Sequence, residues 1–148
     1  MHAKLGLEAD AADGDALIAD LLSLIGEQRV DYTSCLRSLS SVVRGETGPA
    51  RSLFAEPDAF DTWSTRWLDL LGVDRVAIAA AMDRANPIYI PRNHLVEEVL
   101  DAATAGDLAP FEELLELVTH PFEQLEGRER YESGAPIDAP PHRTFCGT

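Results

Sequence analysis

Apolar residues along this chain recur at the three- and four-residue spacing of one helix face through most of its length. No segment alternates apolar and polar residues for long enough to predict a strand. That period fixes the class: an all-α fold of about six helices. Leu17, Ile18, Leu21, Leu22 and Ile25 form the first stripe, with Asp13 or Asp15 placed to cap it and Gly26 placed to stop it. Tyr32, Cys35, Leu36, Leu39 and Val43 form the second, after Asp31 and before Gly45. Gly45–Pro49 reads as a loop. Pro57-Asp58 opens a third helix, capped by Asp58, whose face is Phe60, Trp63, Trp67, Leu70 and Leu71 and whose end is Gly72. The alanine-rich run 74–85 is a fourth, broken by Asn86-Pro87, because proline disfavours the α conformation before it. Ile88–Pro91 is an extended connector. Leu95, Val96, Val99, Leu100 and Ala103 follow, capped by Asn93 and stopped by Gly106. A sixth helix after Asp107 has Phe111, Leu114, Leu115 and Val118 on its inner face. Residues 1–120 therefore read as a helical domain. Residues 121–148 read as an irregular, Pro-rich tail with a short helical turn near Phe122.

Charge removes several functions. The 148 residues carry 12 Lys+Arg against 26 Asp+Glu, a formal charge of −14. Nucleic-acid binders and proteins docked on anionic membranes need the opposite sign. No apolar run approaches the roughly 20 residues that span a bilayer, and the N-terminal residues lack the apolar core of a secretory signal. The expectation is a cytoplasmic protein without nucleic-acid or membrane partners.

Few residues offer chemistry. There is no glycine loop between a strand and a helix, and no nucleophile elbow. His94 with Glu97 and Glu98 places a histidine and carboxylates one helical turn apart. A carboxylate-bridged metal centre needs two such pairs, so a solvated face is the simpler reading. Trp63 and Trp67, at i and i+4, are either a stacking platform or core, with core favoured. Arg92, between Pro91 and Asn93, either holds a phosphate or pairs structurally, with the structural role favoured. Cys35, on an apolar stripe, reads as a small inert core residue. Cys146, two residues from the C-terminus and near Arg143, has the setting of a reactive thiol or of an incidental exposed one. No catalytic, cofactor-binding or metal-binding set is assigned from these residues.

The run Asn86-Pro87-Ile88-Tyr89-Ile90-Pro91-Arg92-Asn93-His94-Leu95-Val96-Glu97-Glu98 resembles a signature of the selenoprotein O family. So do residues 102–111, His120-Pro121-Phe122, and the close Arg143-Thr144-Phe145-Cys146-Gly147-Thr148. Lys4–Leu7, Asp31–Thr33 and Phe60–Trp63 fit as well, so the resemblance covers nearly the whole chain. The family resembles kinases in fold. It implies a pseudokinase that uses ATP and Mg²⁺ to transfer AMP to Ser, Thr or Tyr hydroxyls of proteins. It also implies that Cys146 is the redox-active position, linked to a cysteine of the kinase-like core.

The resemblance places this chain in the C-terminal helical portion of that fold. The family's nucleotide loop, phosphate-binding cations and acidic metal ligands belong to the rest of it, and none maps onto this sequence. The resulting expectation is a C-terminal fragment that is inactive alone, binds no cofactor itself, and has the missing kinase-like core as its partner. The alternative is a free-standing acidic helical interaction module with no enzymatic role.

Overall fold

The structure is a computed structural model, and it describes residues 1–135. These residues form seven α-helices and two short 3-10 turns, with no strand among them. The helices are α1 (Gly14–Glu27), α2 (Tyr32–Val43), α3 (Gly48–Arg51), α4 (Pro57–Leu70), α5 (Arg75–Ala85), α6 (Asn93–Thr104) and α7 (Ala109–Thr119). The all-α reading holds. The additional helix, α3, is a single turn that begins in the last two residues of the Gly45–Pro49 loop and runs on to Arg51, with Pro49 in its first turn, where a missing N–H costs nothing.

The chain divides into two compact units, Met1–Pro87 and Ile88 onward, so the division falls at the start of the extended connector. In the first unit α2 packs on α5 and α3, α1 packs on α4, and the 3-10 turn His2–Leu5 packs on α5 and α2. Leu5, Leu17, Leu21, Leu36, Leu39, Phe60, Trp67 and Met82 are fully or almost fully buried in its core. The second unit has a smaller core around the α6–α7 hairpin, made by Ile88, Tyr89, Leu95, Val99, Leu114, Leu117 and Tyr131.

Several helix ends follow the expected chemistry. Asp31 accepts from the Ser34 N–H at 2.8 Å and Asp74 from the Ala77 N–H at 3.0 Å, both as N-caps. Gly45 and Gly106 take left-handed conformations, φ 95° and 94°, just past α2 and α6. Beyond α6 the Asp107 N–H reaches Ala102 O and the Gly106 N–H reaches Ala103 O, closing a Schellman motif.

Other ends differ. α1 runs through Gly26 to Glu27, and the left-handed residue is Arg29 at φ 54°. Asp13 is itself left-handed and caps without a side-chain bond, Glu56 rather than Asp58 precedes α4, and Arg92 rather than Asn93 precedes α6. The stripes are also narrower than their apolar residues. Leu22, Leu70, Leu100, Phe111 and Leu115, all placed inward by periodicity, are exposed, while Leu117 takes the inner position on α7.

A polar node joins α2 to α5. Asp83 pairs with Arg44 at 2.5 Å and Arg37 at 3.3 Å. Burial opposes ionisation there, but hydrogen bonds from Arg44 and Ser40 and the nearby Arg37 and Arg44 charges hold the Asp83 carboxyl below its ordinary value of 3.8. A carboxyl with a depressed folded-state pKa stabilises at neutral pH, and that contribution is lost as pH falls through the folded value. Asp83→Asn is therefore expected to lower the urea midpoint at pH 7 and to narrow the gap to wild type below about pH 3.8. A gap that is constant with pH contradicts this assignment.

Candidate functional site

The long motif, Asn86–Glu98, straddles the connector and the start of α6, and it is held largely by bonds between side chains and backbone. Asn86 is buried and donates from Nδ2 to Lys4 O at 2.8 Å, while Lys4 Nζ donates to Ala85 O at 2.9 Å. Arg37 donates from Nη1 to Asp83 O at 2.9 Å and to Asn86 O at 3.2 Å. One asparagine thus ties the N-terminal turn, α2 and the end of α5 together. From the sequence Asn86 reads only as part of a helix breaker. Its partner lies 82 residues away, and no local pattern signals such a bond.

The rest of the motif, from Ile88 on, lies in the other unit. Both the Ile88 and Tyr89 N–H groups donate to Pro121 O, at 2.7 and 3.3 Å, and the Tyr89 hydroxyl accepts from the Leu125 N–H at 3.0 Å. His120-Pro121-Phe122 therefore meets Ile88-Tyr89 through the backbone, which brings together two motifs far apart in sequence. Arg92 is buried and donates from Nη2 to Glu132 O at 2.7 Å. Its guanidinium holds a backbone segment, which is the structural role favoured for it.

Nearby, the Tyr131 hydroxyl donates to Glu113 Oε2 at 2.9 Å, and Arg128 pairs with the same carboxylate at 2.7 Å. Burial, then the Glu113 hydrogen bond and charge, push the Tyr131 hydroxyl above its ordinary value of 10.0. The hydroxyl donates to Glu113 in its neutral form.

The other candidates resolve individually. Trp63 and Trp67 stack with centroids 5.3 Å apart and are buried. Their indole N–H groups donate to Leu17 O at 3.0 Å and Leu5 O at 2.9 Å. They are core. Glu98 pairs with Arg130, and His94 is half-buried on α6. Among the described residues no group of three His, Cys, Asp or Glu side chains is arranged to hold a metal ion. Cys35 is buried and free. Cys146 lies outside the described residues.

Most cations among the described residues are already committed. Arg51 binds Asp58 and Asp61, Arg66 binds Asp20, Arg75 donates to Leu68 O, and Arg37, Arg44, Arg92, Arg128 and Arg130 are placed as above. Among the described residues these cations are spread over both units and paired within the chain rather than converging on one open position.

Residues 1–119 match the family described as protein adenylyltransferase SelO. The chain belongs to that family. Its SelO relatives include the protein nucleotidyltransferase YdiU of Mycolicibacterium paratuberculosis, 52% identical over all of this chain and 30% of the relative. The YdiU of Mycobacterium sp. (strain KMS) is 49% identical with the same coverage, and that of Sphingopyxis alaskensis is 45% identical over 98% of this chain. The chain thus spans about 30% of the length of these SelO relatives. Among the described residues no helix is long and apolar enough to cross a membrane.

Proposed function

We propose that this chain is the C-terminal helical region of a SelO-type protein adenylyltransferase and that it supports the chemistry without performing it. The carrying observation is the coverage: all of this chain aligns with about 30% of relatives named protein nucleotidyltransferases. The ion pairing agrees, since arginines of this chain are bonded to carboxylates and backbone carbonyls of the chain itself. On this reading the ATP, the Mg²⁺ and the acceptor hydroxyls of Ser, Thr or Tyr are handled by the remaining polypeptide, in the cytoplasm. Cys146 is its redox-sensitive thiol. The free-standing module remains the competing reading, favoured by the two units each having a core of their own.

The test uses the full-length Mycolicibacterium paratuberculosis relative and this chain side by side. ATP labelled at the α-phosphate should mark protein hydroxyls with the full-length protein and not with this chain alone. Calorimetric titration of this chain with Mg-ATP to millimolar concentration should give no saturable heat. Saturable, Mg-dependent binding by this chain would sink the supporting role, and absence of label with the full-length protein would sink the AMP-transfer reading.

A further inference from the structure

The α6–α7 hairpin carries more apolar surface than the described residues cover. At roughly 100° per residue, Leu117, Leu114, Val118, Phe111, Leu115 and Leu108 follow one another around α7 and its start in that order. They occupy about half of the circumference. The first half of that arc is in the core: Leu117 and Leu114 are buried and Val118 packs against them. The second half is open, with Phe111 41%, Leu115 48% and Leu108 57% exposed. The same asymmetry holds on α6, where Leu95 and Val99 are buried and Leu100, at the far end of the apolar arc, is 53% exposed. Both open halves end in acid. Glu112 and Glu116 flank the α7 arc, Glu97 and Asp101 flank the α6 arc, and all four are exposed.

We propose that Leu100, Leu108, Phe111 and Leu115 form an interaction surface, seated in the full-length protein against an apolar face rimmed by Lys and Arg. This occupant belongs to the polypeptide that makes up the rest of the relatives' length, so the proposal rests on the reading above. An apolar centre with an acidic rim asks for an apolar centre with a basic rim. A second copy of the chain is the poorer occupant. An isologous contact sets each patch against its own twin, which brings the four carboxylates of one copy towards those of the other, on chains of formal charge −14. Relatives more than three times as long have ample chain to supply the partner face.

The experiment reads side-chain accessibility in two contexts. Leu115→Cys is made in this chain, and a cysteine is placed at the aligned position of the full-length Mycolicibacterium paratuberculosis relative. Both are treated with a thiol reagent and mapped by mass. Labelling at this position should be at least tenfold slower in the full-length protein. Equal rates would overturn the surface. Protection in this chain alone that rises with concentration and tracks a dimeric mass would overturn the occupant in favour of a second copy. AMP transfer by the same full-length variant is read separately. Transfer with equal labelling would remove the interface and leave the functional reading standing, whereas protection without transfer would do the reverse.

Discussion

Trp67→Ala should destabilise the first unit by about 3–5 kcal/mol. The ring is fully buried at the centre of that core, stacked on Trp63 at 5.3 Å, and it reaches the core of Phe54 and Phe60 through that neighbour. Its removal deletes the apolar contacts of one of the two largest side chains in the unit. It also leaves Leu5 O without the indole donor at 2.9 Å, at a cost of about 1–3 kcal/mol for a buried orphan, part of the same total. Trp67→Phe separates the two contributions, since it keeps much of the ring area and loses the donor. Trp63 remains as a fluorescent reporter in either variant, and both tryptophans lie in the first unit, so a urea transition followed by fluorescence reports that unit. A loss within roughly 0.5 kcal/mol would place the ring at the surface and reopen the stacking-platform reading.

Trp67 also shows what the sequence made legible. A helical period with aromatics at i, i+4 marks a face that must be covered, and the first unit covers it. The same period placed Leu100, Phe111 and Leu115 inward, and they are exposed. Periodicity records which side chains favour burial. It does not record whether the neighbour that buries them is α6, α7 or polypeptide outside this chain. Helix ends were readable where glycine supplied the left-handed residue, as at Gly45 and Gly106. They were misread where Arg29 took that role one turn element later, because nothing in a lone arginine signals a positive φ. The polar nodes were illegible for a different reason. Asn86 with Lys4, and Tyr131 with Glu113, are bonds across 82 and 18 residues, and each residue alone reads as a breaker or a tail position. Family membership was legible because the motifs are long. The tail motif with Cys146 carries the redox proposal on sequence alone.

The thiol of Cys35 should be almost inert in the native protein and ordinary once unfolded. Cys35 is completely buried on α2, and burial, with the charge of Asp31 behind it, pushes its pKa up to about 12. The thiolate is the reacting species, so near pH 8 this shift alone lowers the reactive fraction by about a thousandfold relative to a free cysteine. Reagent must also enter a closed core, so labelling waits for the unit to open. The rate at Cys35 then reports the opening equilibrium. In that regime Trp67→Ala, through its 3–5 kcal/mol, should speed native labelling by about two to three and a half orders of magnitude, since each 1.4 kcal/mol is a factor of ten. Mass mapping separates Cys35 from Cys146, the other of the two cysteines. Denaturant should bring Cys35 to the rate of an unstructured thiol. Native labelling near that rate, or a rate unmoved by Trp67→Ala, would mean that the face of α2 bearing Cys35 opens without the tryptophan core, and that the first unit does not unfold as one cooperative body.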